Sequence, residues 1–120
     1  MLDCVLPWRQ SACFPSSGVF VSIHYNSARR EGAYGIETYY NNKRAYRLAA
    51  LVHPGVIQAM DSIDRGIRQR GYRVLRKNRL PAILVECGYL TNHFEAERAS
   101  NPNYRQRIAR AIASAILRYV

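Results

Sequence analysis

The chain has 120 residues, 48% of them apolar, with eighteen Lys and Arg against eight Asp and Glu for a formal charge of +10. That length allows one domain with a modest core, and the apolar content excludes a disordered chain. The charge favours a polyanionic partner, whether nucleic acid, an acidic membrane surface or an anionic cell-wall polymer, without choosing among them. The basic residues are Arg apart from Lys43 and Lys77 and form no long run, so most read as solvated faces. Cys4, Cys13 and Cys87 are odd in number and lack zinc-type spacing, which argues against a disulfide framework or a cysteine metal site. No stretch reaches the length of a membrane span. The N-terminus lacks the basic start and apolar centre of a signal peptide, so any export signal is expected upstream of Met1.

Residues 1–17 carry Pro7, Trp8, Pro15 and the turn signal Ser16-Ser17-Gly18, and read as an irregular connecting segment ahead of a domain over 18–120. Val19-Phe20-Val21-Ser22-Ile23-His24 reads as a strand buried on both faces. After a polar loop, Ile36-Glu37-Thr38-Tyr39-Tyr40 reads as a second strand. Apolar residues at three- and four-residue steps predict a helix from Lys43 to about Arg70, kinked or split by Pro54 near His53. Arg73-Val74-Leu75-Arg76 is short and strand-like, and Ala82-Ile83-Leu84-Val85-Glu86 is a buried strand. Asn92 with Glu95 three residues on has the pattern of a reciprocal capping box, and a final amphipathic helix spans about Asn103 to Tyr119.

Two of these strands close on a single ionisable residue, His24 and Glu86. In open α/β sheets the ligand crevice lies beyond the carboxyl ends of the strands, so parallel strands would bring this imidazole and carboxylate to one edge. A carboxyl after four apolar residues needs a charged partner, a metal or solvent. Glu37 reads equally as lining that site or as an ion-pair partner of an Arg. Cys87 directly follows Glu86 and points to the other face, so it reads as a small apolar residue, not a thiol nucleophile paired with His24.

Ser22-Ile23-His24-Tyr25-Asn26, Gly35-Ile36-Glu37-Thr38-Tyr39-Tyr40, Val74-Leu75-Arg76 and Leu84-Val85-Glu86-Cys87-Gly88-Tyr89-Leu90-Thr91-Asn92 stand in the order and approximate spacing of the zinc N-acetylmuramoyl-L-alanine amidases. The chain resembles the amidase-3 family, of the AmiC type, from about Val19 to Tyr119. The resemblance implies an α/β fold with a mostly parallel sheet flanked by helices. It implies a zinc peptidoglycan hydrolase that cuts the amide between N-acetylmuramic acid and the L-alanine of the stem peptide, acting in the periplasm, outside the cell or in the cell wall. His24 matches a zinc ligand and Glu86 the proton-shuttling glutamate. Asn26, Glu37, Arg76 and Asn92 are candidates for contacting substrate or supporting the ligand, with helix capping an equal explanation for Asn92. His53 and His93 match no ligand position and read as helix surface or cap. The family's His-Gly-Gly strand and the helix start that supplies a glutamate ligand have no counterpart here, so the chain resembles the C-terminal two-thirds of such a domain. The other reading is an inactive remnant that still binds peptidoglycan. No motif supports nucleic-acid binding.

Overall fold

The computed structural model describes residues 18–120. The irregular segment expected over 1–17, with Cys4 and Cys13, lies outside them. The elements follow in the order β1 (Phe20–Asn26), β2 (Ile36–Tyr40), α1 (Lys43–Ala59), β3 (Asp64–Gln69), α2 (Arg73–Arg76), β4 (Ala82–Tyr89), α3 (His93–Ser100) and α4 (Pro102–Tyr119). The strands form one sheet in the order β1-β4-β2-β3. β1 pairs parallel with β4 and β2 parallel with β3, while β2 and β4 meet antiparallel. This is the expected α/β architecture with a mostly parallel sheet, and the antiparallel seam lies at its centre.

The alternation of side chains along each strand separates the two faces of the sheet. Ile36 of β2 and Ile83, Val85 and Cys87 of β4 join the main core with Leu48, Val52 and Val56 of α1 and Ile108, Ile112 and Ala115 of α4. The other face carries a small cluster, Phe20, Tyr39, Leu75, Ala82 and Leu84, covered by the single turn of α2. Among the described residues the second face is otherwise open, and it is the face on which His24, Glu37 and Glu86 stand.

Several local expectations change. The helix from Lys43 stops at Ala59, and residues to Gln69 form β3 instead. Ile63 and Ile67 continued the helical spacing by coincidence, whereas Gly66 takes φ +93, a conformation no helix interior accepts. Pro54 neither splits nor ends α1; Pro54 and Ala50, whose carbonyl its ring deprives of a partner, are both exposed, so water can serve that carbonyl. Arg73–Arg76 is a helical turn that drops Leu75 into the smaller cluster. β1 is not buried on both faces. It forms an edge of the sheet among the described residues, and Ile23 is 53% exposed.

The expected capping box is half formed. Asn92 Oδ1 accepts from the backbone N–H groups of Phe94 and Glu95, but the Glu95 carboxylate does not return to Asn92. It is buried and accepts from the Gly35 and Tyr89 N–H groups at 3.1 and 2.8 Å and from the Ser62 hydroxyl at 3.3 Å. Glu95 thus ties the β1–β2 loop, the α1–β3 turn and the end of β4 to α3. Gly88, at φ +155, leaves the space this needs, because a Cβ there would stand 3.1 Å from the Glu95 carboxyl carbon.

His53 is not on the helix surface. It is buried between α1 and the sheet, with Nδ1 2.8 Å from Thr38 Oγ1 and Nε2 2.6 Å from Asp64 Oδ1. This bridge joins three elements across the main core, and the His53 hydrogen bond holds the Asp64 carboxyl below its usual range. His93 does lie on the surface, 3.7 Å from Glu97 one turn on. His53→Ala should therefore cost roughly 2–4 kcal/mol, from the cavity and the stranded Thr38 hydroxyl, and His93→Ala within about 0.5 kcal/mol of zero. Urea unfolding of both variants checks this, and equal small losses would contradict it.

Candidate active site

Glu86 is the pivot of the open face. It lies on β4, with His24 directly opposite on β1 and Glu37 directly opposite on β2. Residues in register on neighbouring strands project to the same side. The three therefore form a row, imidazole, carboxyl, carboxyl, across three adjacent strands. Parallel pairing brings His24 and Glu86 together as expected, but not at the strand ends: β1 continues to Asn26 and β4 to Tyr89. Glu37 joins them because the antiparallel β2 places its second residue beside the fifth of β4.

Glu86 is half-buried, and its Oε2 is enclosed without a hydrogen-bond partner among the described residues. Burial first, and then the charge of Glu37, push its carboxyl up to about 7. His24 is exposed. Glu37 is 3% exposed and densely served. Its Oε1 accepts from Asn26 Nδ2 and from the Tyr89 hydroxyl, both at 3.0 Å. The guanidinium Nε of Arg68 stands 3.6 Å from Oε2 and that of Arg65 3.9 Å from Oε1. Lining the site and pairing with arginine are thus the same position. Burial, followed by the hydrogen bond to Glu37, raises the Tyr89 phenol above its usual range, so it remains a donor.

Two irregularities assemble this group. The β1–β4 register shifts between His24 and Asn26, so Asn26 comes level with Tyr89. In an even strand Tyr89 and Glu86, three residues apart, would face opposite sides. The conformation of Gly88 removes that constraint, and Tyr89 reaches Glu37 on the open face. Tyr89, Arg65 and Arg68 were not among the sequence candidates; a glycine inside a strand pattern is the signal that pointed to such a bulge.

The remaining candidates stand apart. Arg76 lies exposed on α2 and donates from Nε to the Gly71 carbonyl at 3.1 Å. Asn92 caps α3, and capping accounts for its side-chain oxygen. Cys87 is buried on the helix-covered face, and burial pushes its thiol up to about 12, which suits packing and not nucleophilic attack.

Among the described residues no group of three His, Cys, Asp or Glu is placed to hold a metal. The donor set fits one corner of a zinc site. His24 supplies an accessible imidazole, and the enclosed Glu86 oxygen supplies an acceptor waiting for a proton or a polar ligand.

Comparison with known proteins places this face in a family. The N-acetylmuramoyl-L-alanine amidase family (amidase-3) matches residues 15–118. YqiI, an uncharacterized protein of Bacillus subtilis, is 32% identical over 105 residues, covering 84% of this chain and 50% of that protein. Among solved structures, the N-acetylmuramoyl-L-alanine amidase AmiC2 of Nostoc punctiforme is similar with TM-score 0.80 and 41% identity, covering 84% of this chain and 57% of that one. An N-acetylmuramoyl-L-alanine amidase from Clostridium difficile 630 gives TM-score 0.83 and 38% identity, covering 87% and 58%. The chain thus spans little more than half of each of these proteins. No helix among the described residues is long and apolar enough to cross a membrane. A match over nearly the whole chain, with the same fold, establishes that this chain belongs to the N-acetylmuramoyl-L-alanine amidase family.

Proposed function

We propose that this chain carries the proton-transfer half of a cell-wall amidase site, cleaving the amide between N-acetylmuramic acid and the L-alanine of the stem peptide at the surface of peptidoglycan. The observation that supports this best is the in-register row of His24, Glu86 and Glu37, with Glu86 holding an enclosed, unbonded oxygen and a carboxyl raised to about 7. A group poised near the working pH can both take and return a proton. Glu86 takes one at Oε2 from the attacking water and returns it to the nitrogen of the departing L-alanine. Asn26, Tyr89, Arg65 and Arg68 hold Glu37 in place, and Glu37 keeps the Glu86 proton affinity high. Residues 18–120 are the domain to which we assign this chemistry.

His24 is our candidate for one zinc ligand. When bound, zinc would acidify water and polarise the amide carbonyl. Hydrolytic zinc sites use three protein ligands and leave one position open, and the described residues bring one. Purified alone, residues 18–120 should therefore carry well under one zinc and release little or no stem peptide. Joined behind a family N-terminal unit, residues 18–120 should gain both. Elemental analysis with a muropeptide assay decides this. One tightly held zinc on residues 18–120 alone, with turnover that a chelator abolishes, would contradict it.

In the extended chain, Glu86→Gln should lower amide cleavage by about 10²–10⁴-fold while zinc content and fold stay unchanged. Release of stem peptide at near the parental rate would remove Glu86 from the proton path. Loss of zinc with activity would instead make it a ligand.

A further inference from the structure

The open face is electrically lopsided. On the β1 side of Glu86 stand Phe20, Ser22 and His24, none of them carrying a fixed charge. On the other side lies β3, which with the residue after it carries Arg65, Arg68 and Arg70. Arg65 and Arg68 both turn toward Glu37, with Nε at 3.9 and 3.6 Å, so two guanidiniums share one carboxylate. Arg68 keeps 47% of its side chain exposed. Arg70 adds a third cation on this face, its guanidinium carbon 5.7 Å from the centre of the Tyr39 ring. Among the described residues the acids of this face are Glu37 and Glu86, so the β3 side has cationic capacity that its own carboxylates do not fill.

From this asymmetry we infer that Arg68, with Arg65 and Arg70 beside it, binds a carboxylate of the stem peptide on the released side of the scissile amide, and so fixes the direction in which substrate lies across the sheet. The inference rests on the amidase reading and adds its specificity. Neighbouring strands are about 4.8 Å apart, so β3 lies roughly 10 Å from Glu86 on β4. An extended peptide advances about 3.3–3.6 Å per residue. The guanidiniums turn inward to Glu37, one strand nearer, so a chain whose first residue sits over Glu86 brings the carboxylate of its second or third residue to them. The uncharged sugar-lactyl part then lies toward β1. The planar fork of arginine suits a carboxylate; Arg68 faces Glu37 through Nε and donates from Nη2 to the Arg65 carbonyl at 3.4 Å, which leaves Nη1 without a partner among the described residues.

Binding, not turnover, tests this. Muramyl dipeptide with a free carboxylate on its second residue, and the same compound with that group amidated, are titrated into the 120-residue chain and followed by amide NMR shifts. The acid should bind about tenfold tighter than the amide, with the larger shifts on β3. Arg68→Gln should remove the preference and Arg68→Lys should retain part of it. Arg110→Gln, on exposed α4, should leave the preference intact although it lowers the net charge equally. Equal affinity for the two compounds, or binding of neither, overturns the inference, as does loss of preference in Arg110→Gln. A preference that persists in an extended chain that cleaves nothing would leave this inference standing and sink the amidase reading alone.

Discussion

The arrangement rests on two carboxyl groups placed opposite each other on adjacent strands. Glu37 and Glu86 are direct partners across the antiparallel β2–β4 pair, a position where like charges destabilise a sheet. At a separation of about 5 Å and an effective dielectric near 20, the repulsion between two full charges is roughly 3 kcal/mol. A sheet that keeps this pairing must serve one carboxylate well and let the other hold a proton. It does both. Asn26, Tyr89, Arg65 and Arg68 converge on Glu37, while Glu86 is left with an oxygen that no described residue bonds. Burial of Glu86 contributes first and the Glu37 charge second, and together they create a carboxyl that changes state near neutral pH.

Much of the rest can be understood as support for that pair. The helices α1 and α4 fill one face of the sheet, and among the described residues only α2 covers part of the other. Glu95 anchors the loop after β1 and the end of β4, the two places where Asn26 and Tyr89 leave the regular strand pattern. The His53 bridge from Thr38 to Asp64 fixes β2 against the start of β3, which carries the arginines. Proton affinity on one strand thus depends on geometry set by its neighbours. For this reason loss of Glu95 or His53 is expected to disturb the site without touching it.

The parts of this structure legible in the sequence are those with a one-dimensional signature. Apolar runs leading to His24 and Glu86 declared two strands and their juxtaposition, and four ordered blocks declared the family. β3 was hidden because an edge strand of mostly polar and charged residues has no apolar alternation, and Ile63 and Ile67 fell into the period of the preceding helix. His53 looked like surface because pattern alone does not show that Thr38 and Asp64 would meet both of its nitrogens. The tight service of Glu37 depends on a register shift and on Gly88, features of pairing between distant segments. Asn92 and Arg76 were plausible by position, but local caps and carbonyls engage them first.

The most direct test of the account is a carboxyl carbon NMR titration of Glu86 in the folded chain, repeated in Glu37→Gln. Glu86 should titrate near 7 in the parent and shift toward, without reaching, the ordinary glutamate range in the variant, since burial remains. The raised value also has a sign for stability. The ionised form is disfavoured in the fold, so stability should fall as pH rises from the ordinary glutamate range through 7. Glu86 titrating as an ordinary glutamate in the parent, or unchanged by Glu37→Gln, would contradict the claim that the carboxyl pair sets the proton affinity of the site.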